Sequence, residues 1–325
     1  MPKPKRPRFG SMGVWPRKRA KNQTPRVRSY ANIQTAKPLE FAGYKAGMTR
    51  VLLQTQEKGK RGGSEHMVSA TIIECPPMKI ASLRLYKKDK VVKQINFKAE
   101  KELAKTTNVT KDKFSSPKDL ETLNADEYTD ATIQVYTQPK LIGFKKKPEI
   151  FEISLGGKVK DKIEFVKAHA EKPILINEVF QVGQNVDAHS ITKGKGYQGP
   201  VKRFGIGLKN HKSEKGVRSV GSLGGWSGQG HVMYRVAHAG QTGYHQRTQY
   251  NNLIIKMSDK PEEINAKGGF IRYGFVKNPY ILIKGSIAGP KKRLIKLTEP
   301  VRQHKKPAFK PEQVKMIMTD SNQGR

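Results

Sequence analysis

The chain has 325 residues, with 63 Lys and Arg against 27 Asp and Glu and a formal net charge of +36. Like charge at that density opposes a compact free-standing enzyme and points to a polyanionic partner. The single cysteine, Cys75, excludes a disulfide framework and a multi-thiolate zinc site, and no apolar run approaches the ~18 residues of a membrane span.

Leu, Ile, Val and Phe number 73, just above the roughly 20% boundary below which highly charged chains stay disordered. A core is therefore expected over part of the chain only. The N-terminal arm, 1–40, is the first part without one. Residues 1–39 carry 11 Lys and Arg and no acid, and before Leu39 their Leu/Ile/Val/Phe group is only Phe9, Val14, Val27 and Ile33. Pro2, Pro4, Pro7, Pro16 and Pro25 oppose regular structure. Such a segment should order on a partner. Phe9, Trp15 and Tyr30 beside cations suit stacking on bases, which favours a binding arm over a solvated tail or an import signal.

Arg50–Leu53, Val68–Cys75 and Ile80–Tyr86 are β-branched or apolar runs of strand length. The window 87–172 then changes character, with 19 Lys, 14 acids and no arginine anywhere between Arg84 and Arg203. Arginine is the better fork for phosphate, so this window reads as a solvated, mostly helical insert that faces away from the polyanion. Ser116-Pro117-Lys118-Asp119 has the pattern of a helix start, and Val159, Ile163 and Val166 recur at helical spacing. Beyond it, 186–192 alternates weakly as a strand. Gly274–Lys277 and Tyr280–Lys284 around Asn278-Pro279 read as a hairpin, and Leu294–Leu297 as a last short strand. Strands parted by long inserts predict a mainly β protein with α insertions, whose core is one small closed β-barrel assembled from 41–86, 173–204 and 249–310.

Between Ala188 and Lys256 lie 11 Lys and Arg against one acid, Glu214, and thirteen glycines fall between Gly194 and Gly243. An extended excursion against a polyanion accounts for this composition, since glycine permits close backbone approach and phosphates neutralise the cations. Gly194-Lys-Gly196-Tyr-Gln-Gly199 matches the dinucleotide fingerprint formally, but Pro200 follows at once and leaves no room for the phosphate-holding helix. His231, His238 and His245 are spaced by seven among glycines and arginines; RNA contact suits them better than metal, and neighbouring acids for a catalytic triad are missing. Trp226 stands in Ser222-Leu-Gly-Gly-Trp-Ser-Gly-Gln-Gly230, where little nearby could bury an indole, as expected of an aromatic at a loop tip packing into folded RNA.

Four separated stretches resemble the universal large-subunit ribosomal protein three family in its archaeal or eukaryotic-type form. They are Phe41-Ala-Gly-Tyr-Lys-Ala-Gly-Met-Thr49, 186–203 through Thr192-Lys-Gly-Lys-Gly-Tyr-Gln-Gly-Pro-Val-Lys-Arg203, Ala239-Gly-Gln-Thr-Gly-Tyr-His-Gln-Arg-Thr248, and Lys284-Gly-Ser-Ile-Ala-Gly-Pro290 with Lys291-Lys-Arg293. Arg6-Pro-Arg-Phe-Gly-Ser and Pro16-Arg-Lys-Arg19 also fit. The resemblance implies a six-stranded barrel of the translation-protein type, long extended rRNA-binding arms, a central finger over 205–248 tipped by Trp226, and a C-terminal tail over 311–325. It implies a non-enzymatic, cytoplasmic protein of the large ribosomal subunit, monomeric there, with large-subunit rRNA and neighbouring ribosomal proteins as partners and no cofactor, metal or small-molecule substrate. Some relatives carry a methylated His or Gln in or near the finger; Glu214 stands where the eukaryotic methylated His would fall, so that modification is not expected here. The expected rRNA-binding residues are Arg6, Arg8, Arg17, Lys18, Arg19, Arg26, Arg28 and Lys45 in the first part of the chain. Lys193, Lys195, Lys202, Arg203, Arg218, Trp226, Arg235, His238, Tyr244, His245 and Arg247 follow in the Gly-rich stretch, and Lys291, Lys292 and Arg293 near the end.

Overall fold

The computed structural model describes residues 10–55, 64–97, 103, 120, 123–225, 230–302 and 313–319. In chain order the first strands are β1 (Glu40–Thr55), β2 (Ser64–Glu74), β3 (Lys79–Lys87), β4 (Lys90–Asn96), β5 (Asp130–Tyr136) and β6 (Ile150–Ser154). Helices α1 (Val159–His169) and α2 (Ile176–Val179) precede β7 (Asn185–Ile191). Then come β8 (Gly196–Gln198), α3 (Pro200–Phe204) and β9 (Gly240–Thr242), followed by β10 (Gln246–Ser258), β11 (Tyr280–Lys284), β12 (Leu294–Thr298) and β13 (Gln313–Ile317). The chain divides into two units: a larger one, Thr24–Ser190 with Thr248–Arg325, and a smaller one, Met1–Gln23 with Ile191–Arg247.

The main sheet runs β12-β7-β10-β11-β2-β1-β13, and β12 also pairs with β1. Its organising strand is β1, whose first half, Glu40 to Tyr44, pairs with β12 while Val51 to Gln54 pairs with β13. Gly43 in β1 is required by close approach, because a Cβ there would lie 2.5 Å from Ile73 Cγ2. Alternate residues of the same strands enter different buried clusters. Ile73, Ile254, Ile281 and Ile283 join one; Ile72, Ile255, Tyr280 and Leu282 join the other. Burial of both faces explains why these strands read as continuous apolar runs rather than as alternation.

The mainly β class is observed, and three expectations within it are corrected. First, the window 87–172 is not mostly helical among its described residues. It contributes β4, β5 and β6 to a second sheet ordered β4-β3-β5-β6, together with α1. In β5 and β6, Ile133, Val135, Phe151 and Ile153 turn inward while Gln134 and Glu152 alternate with them, so the charge rides on a half-buried sheet. The α1 spacing holds, with Ile163 and Val166 buried, whereas Ser116–Asp119 lies outside the described residues.

Second, Gly274–Lys277 is not a strand and forms no hairpin with β11. The amides of Lys277 and Asn278 donate to the buried Glu74 carboxylate at 3.0 and 2.9 Å, and that of Val276 donates to Asn265 Oδ1 at 2.9 Å. Side chains far away in sequence thereby take the bonds a ladder would have used, and β11 pairs with β2 and β10 instead. Third, the C-terminal tail contains β13, which pairs with β1.

Charge also enters the larger unit's interior, in paired form. Glu40 and Lys296 meet at 2.8 Å with both side chains almost fully buried, Tyr30 donates to Glu40 at 2.7 Å, and the Lys296 ammonium lies 3.8 Å from the Phe151 ring centroid. Nearby, His189 on β7 sits between the hydroxyls of Thr248 and Thr298 at 3.0 and 3.1 Å. Burial, reinforced by the Lys296 charge, lowers its pKa to about 4.

As pH falls, the unfolded chain protonates His189 near pH 6.5, while the folded chain resists until about pH 4. The stabilisation is therefore complete above pH 6.5 and lost across that window, by at most about 3 kcal/mol. Burial raises the pKa of Glu40 and of Asp187, which gives a pH dependence of opposite sign in wild type and variant alike. His189→Gln should remove the acid-side loss, read as a smaller fall in urea-unfolding free energy between pH 6.5 and 4.5. An identical fall in both proteins would contradict this assignment.

Candidate nucleic-acid interface

The smaller unit concentrates the charge: its 80 residues carry 18 Lys and Arg against Glu214 alone, whereas the other 245 carry 45 against 26 acids. Neither buried apolar cluster contains any of its described residues. Its local order comes instead from cation–ring contacts, carbonyl hydrogen bonds and glycine turns.

Three centres build it. Helix α3 starts at Pro200 and stops at Gly205, whose φ of +69° caps the turn. This corrects the expectation that no helix follows Pro200. The dinucleotide reading still fails, because β8 pairs antiparallel with β9 rather than entering a parallel βαβ unit. On α3, the Phe204 ring has the Arg17 guanidinium 4.5 Å and the Arg203 guanidinium 5.0 Å from its centroid. Arg203 also donates to the carbonyls of Gln241 at 3.1 Å and His238 at 2.9 Å, tying α3 to the approach of β9. Trp15 packs edge-on against Tyr234 at 5.1 Å.

The third centre joins the arm to residues 244–245. The Ala20 amide donates to the Tyr244 carbonyl at 2.8 Å, Arg19 lies over the Tyr244 ring at 5.5 Å, and His245 Nδ1 donates to the Lys18 carbonyl at 2.8 Å. Burial, with Arg247, Arg203 and Arg17 around it, lowers the His245 pKa. Gly243, at φ +71°, makes this junction possible, since a Cβ there would lie 2.0 Å from the Lys193 carbonyl oxygen.

Of the expected contact residues, Lys18, Arg19, Lys193, Lys195, Lys202, Arg218, Arg235 and His238 are exposed on the smaller unit. Arg17, Arg203, Tyr244 and Arg247 are half-buried. On the larger unit, Arg26, Arg28 and Lys292 are exposed, and Lys291 and Arg293 are half-buried. Arg6, Arg8 and Trp226 lie outside the described residues. Two of them lie inside: His245 is buried in the junction above, and Lys45 is buried with its ammonium bonded to the carbonyls of Ile287 and Gly289. Lys45 is thus an internal strut, a role its place in a conspicuous motif concealed.

Exposed Lys21, Lys212 and Lys215, half-buried Lys209, and the open rings of Tyr197 and Tyr234 at 77% and 69% exposure, extend the same surface. The sequence signal for them was available as cations and aromatics set among glycines in an almost acid-free stretch. Gln198, Gly199, Val201, Lys202 and Arg218 line a hollow of about 220 Å³ that holds two cations and no acid.

A mainly β protein with a cationic unit whose described residues join neither buried apolar cluster has the make-up of a ribonucleoprotein component. The family model of ribosomal protein L3 matches residues 1–324, and the chain belongs to that family. Among curated relatives, the large ribosomal subunit protein uL3 of Nanoarchaeum equitans is 42% identical over 307 residues, covering 92% of each chain. Its counterpart in Methanosphaera stadtmanae is 42% identical over 332 residues and 98% of each chain, and that of Methanococcoides burtonii is 42% identical over 339 aligned positions and 100% of each.

Gly243→Ala keeps every charge but forces the Lys193–Gly243 junction apart. Expected is at least a tenfold loss of affinity for an in vitro transcript of archaeal large-subunit rRNA at each salt concentration. The slope of log K against log salt should stay parallel to wild type. A changed slope would show that the junction adds phosphate contacts of its own rather than arranging the existing ones.

Proposed function

We propose that the chain is a structural, non-catalytic rRNA-binding protein of the cytoplasmic large ribosomal subunit, monomeric there and in contact with neighbouring ribosomal proteins. The observation that carries this reading is the coincidence, in one unit, of the highest charge density and the absence of an apolar cluster among the described residues. Such a unit gains little from burial and much from phosphate neutralisation. Family membership supplies the RNA class.

Within this reading the six strands β1, β2, β11, β10, β7 and β12 form a closed barrel. Its support is the extra β12–β1 pairing, which returns the ladder to its starting strand after six steps. The barrel anchors the protein, and the arm and the 205–248 finger follow the RNA. Trp226 at the finger tip supports the architecture of the peptidyl transferase centre, and early binding of the extended segments supports subunit assembly.

Two measurements test the reading together. In a sucrose gradient of cell extract the protein should sediment with the large subunit; recovery mainly as free protein or on chromatin would overturn it. Removing Met1–Gln23, which carries eight Lys and Arg, should weaken binding to the rRNA transcript. The salt slope should flatten by about 0.7–0.9 for each phosphate that the arm neutralises in the intact protein. An unchanged slope would make the arm a solvated tail.

A further inference from the structure

The larger unit contains a second cationic feature, built differently from the first. Residues 269–274 form a tight turn closed on itself: the Phe270 amide donates to the Gly274 carbonyl at 2.8 Å, and the Gly274 amide to the Phe270 carbonyl at 2.9 Å. Phe270 is buried, and the Tyr273 hydroxyl donates to the buried Glu74 carboxylate at 2.5 Å. With these two residues anchored, Ile271 and Arg272 are displayed at the outer corner. Both are exposed, and Arg272 is held in the left-handed region at φ +63°.

A second turn, 289–292, is fixed as firmly. The Lys45 carbonyl on β1 accepts from the Lys292 amide at 2.8 Å, the Lys45 amide donates to the Arg293 carbonyl at 3.0 Å, and the Lys45 ammonium bonds to the carbonyls of Ile287 and Gly289. Lys292 is thereby presented at an exposed corner, again left-handed, at φ +68°. Lys291 links the turns by donating from Nζ to the Ile271 carbonyl at 2.9 Å. Among the described residues no carboxylate pairs with Arg272 or Lys292. The strain is electrostatic as well as conformational: burial first, and then the Arg272 charge, lowers the pKa of Lys291, and Lys291 in turn helps to lower that of Lys45.

Two non-glycine residues at positive φ, both cationic, held by internal bonds and left without an acid, are a costly arrangement in a free protein. We propose that the paired turns are a phosphate clamp, in which Arg272 and Lys292 hold successive phosphates of one RNA strand while Lys291 and Lys45 act as positioning residues that set the gap between them. A phosphate at each corner neutralises the like charges, and Arg272 offers a planar fork to receive its own. The clamp rests on the rRNA-binding reading above and deepens it, because it gives the larger unit a backbone contact of its own. Nothing in the charge pattern of 267–277 announces it, since Arg272 is a lone arginine between apolar residues.

The test uses the full-length protein and the archaeal large-subunit rRNA transcript, with affinity measured from 50 to 400 mM KCl. The double variant Arg272→Gln/Lys292→Gln should flatten the slope of log K against log salt by about 1.4–1.8, the value for two phosphates. The charge-keeping pair Arg272→Lys/Lys292→Arg should keep the wild-type slope while placing the same demands on the backbone. Lys291→Met should also lose slope, by letting the corners drift apart. A steep wild-type slope that the Gln pair leaves unchanged would overturn the clamp and leave the rRNA reading standing. Equal loss in the Gln pair and the charge-keeping pair would also overturn it, by placing the effect in turn geometry rather than charge. A wild-type protein with no salt-dependent rRNA binding would overturn the underlying reading itself.

Discussion

The constraint on which this protein turns is charge without a core to hold it. In the smaller unit 18 cations face one carboxylate, and no described residue there joins a buried apolar cluster. Burial of apolar surface, at roughly 25 cal/mol per Å², is the term that usually offsets chain entropy and self-repulsion. Here it is nearly missing. What remains is a small set of directed contacts: Arg17 and Arg203 about the Phe204 ring, Arg203 on the carbonyls of His238, Ala239 and Gln241, and His245 on the Lys18 carbonyl. These fix local geometry and leave the net repulsion uncompensated within the described residues, the imbalance that the proposed rRNA partner would neutralise.

The larger unit solves the opposite problem. Its sheet is buried on both faces, and its interior charges are paired or fully hydrogen-bonded. Glu40 has Lys296 and Tyr30; Glu74 accepts from Tyr273, from the amides of Lys277 and Asn278, and from Asn278 Nδ2 at 2.6 Å. Removing one partner from such a set leaves a buried charge unsatisfied, so these groups lock particular loops in place more than they add net stability. Through Tyr273 and Lys45 that rigidity reaches the surface, where it holds Arg272 and Lys292 in conformations that a mobile loop would abandon.

What could be read from the residues followed the range of the interactions involved. The strands Val68–Glu74 and Tyr280–Lys284 were visible because burial on both faces leaves a dense apolar run, and Ile163 and Val166 because one helical face is a local pattern. The charge map needed only counting. The strands β5 and β6 were hidden by the lysines around them, although Ala-Thr-Ile-Gln-Val-Tyr and Ile-Phe-Glu-Ile-Ser alternate as half-buried strands do. The false hairpin at Asn278-Pro279 could not be corrected locally, since the carboxylate that claims its amides belongs to Glu74, some 200 residues earlier. Lys45 and His245 show the same limit from the side of the site. Both stand in strongly marked motifs, yet their polar atoms bond to carbonyls far along the chain, a fact no spacing encodes.

The central claim, that the smaller unit depends on a polyanion for its order, is tested most directly by amide hydrogen exchange on the full-length protein, free and bound to rRNA. The account predicts that β1, β2 and β11 are protected in both states, whereas amides across 205–238 exchange rapidly in the free protein and slow at least a hundredfold on RNA. Protection across 205–238 in the free protein equal to that of β1 would contradict it, because the unit would then hold itself together without any partner.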